Sequence, residues 1–215
     1  MADAKGYVDK VNVMKQDFGW EVPVELVPIP SGGIIYGPES TLHKKQNVKI
    51  KSMTAREEDI LSSAALIKEG TVLDHLVEAC VLDNINHKEL IVGDRNAIMV
   101  AIRITGYGPE YPVRGYCDKC NHLNSFSVDL SALPIKRLKY EPVEPGRNIF
   151  KYQLPVTKKT VYFKLPTLID ERDRAIKDKR LRQYINSQIE PNVTSNLELC
   201  VLQVDDVKDK STENE

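Results

Sequence analysis

Two stretches of this chain carry the same structural pattern, and that repetition constrains the fold more than any other feature. Residues 48–58 read VKIKSMTAREE and residues 161–171 read VYFKLPTLIDE. Val48 aligns with Val161, Lys51 with Lys164, Thr54 with Thr167 and Glu58 with Glu171. Each stretch opens with strand-forming residues and reaches a threonine followed three positions later by an acid, Glu57 or Asp170. That is the capping-box pattern, in which the free amides at a helix start are satisfied by side chains. Each also follows a proline-containing apolar stretch, Pro28-Ile29-Pro30 or Leu154-Pro155-Val156. Strand-then-capped-helix is common enough for such matches to arise without duplication. On either reading the echo describes a scaffold and carries no chemistry.

The expected class is α+β: β-hairpins followed by capped helices, with a small C-x-x-C insert resembling a zinc knuckle. Residues 1–20 read as an N-terminal tail, 21–140 as a hairpin with helices and the cysteine knuckle, 148–207 as a second hairpin with helices packed on the first part, and 208–215 as a polar tail. Val48-Lys49-Ile50-Lys51 alternates as a half-buried strand should, after a loop near residues 37–46. Thr54 caps a helix whose Ile60, Leu61, Ala64 and Ile67 share a face up to Gly70. A second helix spans 71–82 with Leu73, Leu76, Val77 and Cys80 on one stripe, and Asp94 is placed to cap a third. Residues 141–147 (EPVEPGR) read as a linker, and 152–165 as a hairpin turning at Thr157-Lys158-Lys159. Thr167 opens a charged helix with acid–base pairs at i,i+4, Asp170/Arg174, Asp173/Lys177 and Asp178/Arg182. A last helix carries Leu197, Cys200, Val201 and Val204.

The 215 residues hold 30 basic and 31 acidic side chains for a net charge of -1, so the chain is no general binder of polyanions. No apolar stretch approaches the ~18 residues of a membrane span. The first ten residues, MADAKGYVDK, lack the apolar run of a secretory signal. A reducing cytoplasm is therefore expected, and a disulfide framework is not.

The sharpest local motif is Cys117-Asp118-Lys119-Cys120-Asn121-His122. A C-x-x-C turn aims two sulfurs at one point, which supplies half of a tetrahedral Zn²⁺ site. His122 is the candidate third ligand. Three readings stay open: bound Zn²⁺, a metal-free turn of the same shape, and a thiol redox pair. The last fits least, because a redox pair opens a helix after a strand, and Asn121 to Asn124 begin no amphipathic helix. Cys80 and Cys200 fall on apolar helix stripes and read as buried structural thiols. His43, His75, His87 and His122 lie in no catalytic motif, and Ser31-Gly32-Gly33 lacks the lysine and helix of a phosphate-binding loop. No enzyme is expected. Ile34, Ile35 and Tyr36, beside that glycine pair, are candidate docking residues if exposed and a core strand if buried.

Taken in order, several segments resemble one family. They are Pro30-Ser31-Gly32-Gly33 with Tyr36, residues 53–61 (MTAREEDIL), Gly93-Asp94-Arg95, residues 103–111 (RITGYGPEY), Cys117 to Cys120, and residues 165–171. Together they resemble the baseplate proteins of T-even-like contractile-tailed bacteriophages, as a hub subunit or hub assembly protein. Two departures stand out: Pro166 replaces the usual leucine, and the knuckle lacks the proline and glycine of C-P-x-C-G. The resemblance implies docking on other baseplate or hub proteins, in an assembly that can be oligomeric. It implies a place in the virion tail baseplate or, during assembly, the host cytoplasm, and no catalytic residues. The rival from another class is a zinc-ribbon-like nucleic-acid-binding or regulatory module. It calls for basic residues around the knuckle, where only Arg114 and Lys119 lie near, beside Asp118.

Overall fold

The computed structural model describes residues 9–15, 21–184, 192–205 and 207–208. The chain divides into two compact units, each assembled from separate stretches. Met1–Gly32, Gln46–Asn84 and Gly93–Arg137 make the first; Gly33–Lys45, Ile85–Val92 and Leu138–Glu215 make the second. Helices and small antiparallel sheets coexist in the α+β arrangement expected.

In the first unit, β1 (Asp9–Lys15), β2 (Glu21–Pro28) and β3 (Asn47–Lys51) form an antiparallel sheet in that order. Within the segment read as a tail, residues 9–15 are thus paired with β2, and the rest of 1–20 lies outside the described residues. Alternation on β3 puts Val48 and Ile50 inside, with Val24 and Val27 of β2 also buried. The helix expected from Thr54 to Gly70 is two helices, α1 (Ala55–Ser62) and α2 (Ala64–Glu69). They part at Ser63, whose backbone is extended at φ -67°, ψ 107°. Serine hydroxyls compete for backbone partners, and the Ser62 hydroxyl donates to the Asp59 carbonyl at 3.2 Å.

Helix α3 (Val72–Cys80) buries Leu76, Val77 and Cys80, while Leu73 of the expected stripe is exposed. Helix α4 (Val92–Tyr107) starts before Asp94, which therefore sits in the first turn instead of capping. Its buried carboxylate accepts from the Ser31 amide at 2.9 Å and the Ser31 hydroxyl at 2.5 Å, tying down the loop after β2. Ala97, Ile98, Ala101 and Ile102 of α4 complete this core. A separate two-stranded sheet, β4 (Glu110–Tyr116) with β5 (Leu123–Asp129), carries the cysteine pair at its turn.

The second unit holds β6 (Phe150–Gln153), β7 (Thr160–Phe163), α5 (Leu168–Tyr184), α6 (Asn192–Cys200), β8 (Val201–Val204) and β9 (Val207–Lys208). Its sheet runs β6-β7-β8-β9, all antiparallel. Val201 and Val204, expected on the last helix, are in strand β8. Pairing with β7 places these β-branched residues in the geometry they favour. In helix α5, Asp170 binds Lys164, Arg174 reaches Asn196, and Lys177 meets Glu198 of α6 at 3.0 Å. The side chains of Asp178 and Arg182 lie outside the described residues. Ile35, Tyr36, Leu42, Leu90, Ile91, Phe150 and Leu168 are the buried apolar set, and Phe150 stacks on Phe163 at 5.6 Å.

The sequence echo is also an echo in space. In the first unit the Lys51 ammonium meets Glu57 at 2.7 Å, and Glu57 accepts from the Thr54 amide at 2.9 Å and hydroxyl at 2.6 Å. In the second, Lys164 meets Asp170 at 2.6 Å, and Asp170 accepts from the Thr167 amide at 2.9 Å and hydroxyl at 2.8 Å. The correspondence extends outward. Ile29 donates to the Gln46 carbonyl and Leu154 to the Lys159 carbonyl, both at 2.9 Å, at the mouths of the two hairpins. Val81, after the helix ending at Cys80, bridges Ile50; Val201, after the helix ending at Cys200, pairs with Phe163. Each unit is therefore built round a hairpin, a lysine–threonine–acid cluster, and a helix that ends in cysteine beside the acid. The hairpins differ in their turns: the second closes over Leu154 to Lys159, while the first opens into a long loop whose residues 33–45 belong to the second unit.

Electrostatics follow the same symmetry. Burial by itself raises the Glu57 carboxyl, but hydrogen bonds from Lys51 and Thr54 and the Lys51 charge outweigh it and hold the group below the usual range. Asp170 is held down in the same way, with burial opposed by Lys164 and Thr167. Burial, with the negative charge of Glu57, pushes the Cys80 thiol up to about 12. Burial and Asp170 raise Cys200 likewise. Cys80 is the buried thiol its stripe suggested, whereas Cys200 is only half-buried and the stripe expected for it is not formed, Leu197 being exposed and Val201 and Val204 lying in β8.

Candidate functional site

The β4–β5 hairpin is the element whose side chains the core leaves unexplained. Its register pairs Tyr111 with Val128 and Val113 with Phe126 on one face, and Arg114 with Ser125 and Tyr116 with Leu123 on the other. Tyr111, Tyr116, Leu123 and Phe126 are all exposed, Tyr116 at 68%. A lone two-stranded ribbon is marginal in water, so this one needs an anchor. Arg103, on the last turns of α4, supplies it. Its guanidinium donates to the Gly108 and Glu110 carbonyls at 3.0 and 3.3 Å and lies over the rings of Tyr107 and Tyr111 at 4.8 and 5.6 Å. Across the root, the Leu130 amide donates to the Pro109 carbonyl at 2.9 Å, and Leu130 is buried. Sequence reasoning singled out neither Arg103 nor these apolar pairs. The signal was the period-two spacing of Tyr111/Val113 and Phe126/Val128 on either side of the cysteines.

At the hairpin tip, Cys117 donates its amide to the His122 carbonyl at 2.9 Å and accepts at its own carbonyl from Asn121 at 2.8 Å. Asn121 takes the left-handed conformation, φ 54°, doing the work of the glycine in C-P-x-C-G. The backbone of Cys120 and Lys119, with the Cys120 thiol, favours the thiolate and holds the Cys117 thiol below its ordinary value. The turn therefore brings Cys117 and Cys120 close together. Among the described residues, however, no three His, Cys, Asp or Glu side chains gather as a metal-binding group, so His122 does not close the set with Cys117 and Cys120.

The expected docking trio is split by burial. Ile35 and Tyr36 are buried at 3% and 6%, and Ile34 alone is exposed, at 37%. They form a turn and not the strand that was the other reading. Gly33 precedes them at φ 75°, and a Cβ there would lie 2.3 Å from the Lys45 amide nitrogen, so the chain must curl at this point. Curling carries Tyr36 inward, where its hydroxyl accepts from the Ile91 amide at 3.2 Å. Ile34 stays out, beside a cleft lined by His43, Pro142, Pro145 and Gly146.

No helix among the described residues is long and apolar enough to cross a membrane. Neither curated proteins nor solved structures yield a match to this chain. A family model does, described as T4 bacteriophage base plate protein and aligned with residues 36–214, which takes in the knuckle hairpin and both copies of the lysine–threonine–acid cluster. With that much of its length accounted for, the chain belongs to the T4 bacteriophage base plate protein family.

Proposed function

We propose that this protein is a structural or assembly component of the baseplate hub of a contractile tail, working by docking on other baseplate proteins and catalysing no reaction. The observation that carries the reading is the anchored β4–β5 hairpin. Its exposed aromatic residues lie on a ribbon fixed at its root by Arg103, within a chain of the baseplate family. Exposed aromatic side chains held rigidly suit protein recognition, since they bury much area at small entropic cost. Ile34 and its cleft form a second, smaller docking element.

The test is made in infected cells, with wild-type, Phe126→Glu and Ile34→Asp proteins compared for entry into tail intermediates. Wild type is expected to co-purify with baseplates or hub precursors, and folded Phe126→Glu protein to be lost from them. Normal infectious tails from a phage lacking the gene would overturn the reading. A protein found in hub precursors but not in finished tails would act as an assembly factor, and one found in both as a permanent part.

A further inference from the structure

We propose that the cysteine knuckle is half of an intermolecular zinc site, completed by the same two cysteines of a second copy of this chain. The inference rests on the hairpin tip and does not depend on the baseplate reading.

A structural zinc ion takes four ligands in a tetrahedron. The tip offers two, on the tight turn such ligands need: the Cys117 amide donates to the His122 carbonyl, the Cys117 carbonyl accepts from the Asn121 amide, and a left-handed Asn121 closes the turn. The chain has only four cysteines. Cys80 is fully buried beside Glu57, and Cys200 lies beside Asp170 in the other unit. Among the described residues no further ligand joins the pair. A second copy supplies the missing ligands, since a two-fold axis through the metal brings an identical pair of sulfurs.

Charge and surface agree with that occupant. A zinc ion bound by four thiolates carries a net charge of minus two. Two Arg114 and two Lys119 against two Asp118 leave two positive charges around it, which balance it. Tyr116 and Leu123 face each other directly below the knuckle, 68% and 47% exposed, and form an apolar shoulder that a second copy would cover. Burying that shoulder would also exclude water from the metal.

The experiment uses full-length protein purified without chelator under a phosphine reductant. Zinc is measured by elemental analysis and mass by light scattering, with Co²⁺ substituted as a spectroscopic probe. The expected result is a dimer with one zinc per two chains, a four-thiolate Co²⁺ spectrum, and dissociation to metal-free monomer on adding a chelator. Cys120→Ser should lose both metal and dimer while its thermal unfolding midpoint stays that of the stripped wild type. Should Cys120→Ser fold poorly, Tyr116→Lys tests the same interface away from the metal ligands and should weaken the dimer at least tenfold. One zinc per monomeric chain, a dimer unchanged by chelation, or no binding from micromolar zinc would each overturn the proposal.

Discussion

Replacing Lys51 with methionine tests whether the lysine–threonine–acid cluster holds the first unit together. Methionine keeps most of the aliphatic stem and removes the cation. The lost attraction, over 2.7 Å, is about 6 kcal/mol at an effective dielectric constant of ~20. Part of that is offset by the desolvation of Lys51 and Glu57, whose side chains are 13% and 2% exposed. Removing one partner of so buried a pair costs about 3–5 kcal/mol, because the other charge stays inside alone. Lys164→Met makes an internal control: the same cluster, but with side chains 32% and 18% exposed, where water can re-enter. Its cost should be about 1–2 kcal/mol, between surface and buried pairs. In urea, with a slope near ~2 kcal/mol per M, a ~4 kcal/mol loss moves the midpoint by about 2 M. Without the cation, burial drives the Glu57 carboxyl up, so the Lys51→Met deficit should shrink as pH falls from 7 towards 4 and Glu57 takes a proton. Equal deficits for the two variants, or a Lys51→Met deficit independent of pH, would refute this account of the cluster.

Three further outcomes follow from the geometry. In wild type, Glu57 and Asp170 both titrate below their ordinary values; the stability they contribute is present above the unfolded carboxyl range of ~4 and lost as pH falls through the folded values. Acid unfolding followed by circular dichroism should therefore show loss below pH ~4, and a midpoint above pH 5 would contradict it. Thiol labelling at pH 8 should modify Cys117 and Cys120 first in metal-free protein and leave Cys80 untouched until denaturation; Cys80 labelling at a comparable rate would contradict its burial. Gly33→Ala should cost about 2 kcal/mol or more, since its Cβ would meet Lys45 backbone at φ 75°; an unchanged melting midpoint would show that the loop has another conformation.

The parts of the fold legible from sequence were those specified locally. The capped helices at Thr54 and Thr167, the hairpin turning at residues 157–159 and the burial of Val48 and Ile50 all follow from short-range patterns. The misread parts were decided by distant partners. Val201 to Val204 read as helix because their apolar spacing suits either state, and pairing with β7 settled it. Asp94 read as a cap, but its carboxylate is taken by Ser31, far away in sequence. Ile35 and Tyr36 gave no sign that a Gly33 turn would carry them inside, and Arg103 gave none that it would clamp a hairpin root. At the knuckle, the turn was visible from C-x-x-C, whereas the position of His122 depended on a backbone path that spacing alone does not reveal.

The route of the backbone has a practical consequence. The chain changes unit after Gly32, Lys45, Asn84, Val92 and Arg137. No single cut can yield a self-contained half. A fragment ending at Arg137 would keep Gly33–Lys45 and Ile85–Val92 as orphans without the body they complete, and the remaining fragment would lack Tyr36, Leu42 and Leu90 from its core. Truncations chosen from the linker-like 141–147 stretch should therefore be insoluble. A protease nick there in the intact protein should leave both pieces bound together until denaturant is added. Gene fragments or deletion series, the usual means of mapping a binding region, will report misfolding here, and point substitutions in the full chain are the means that can locate its contacts.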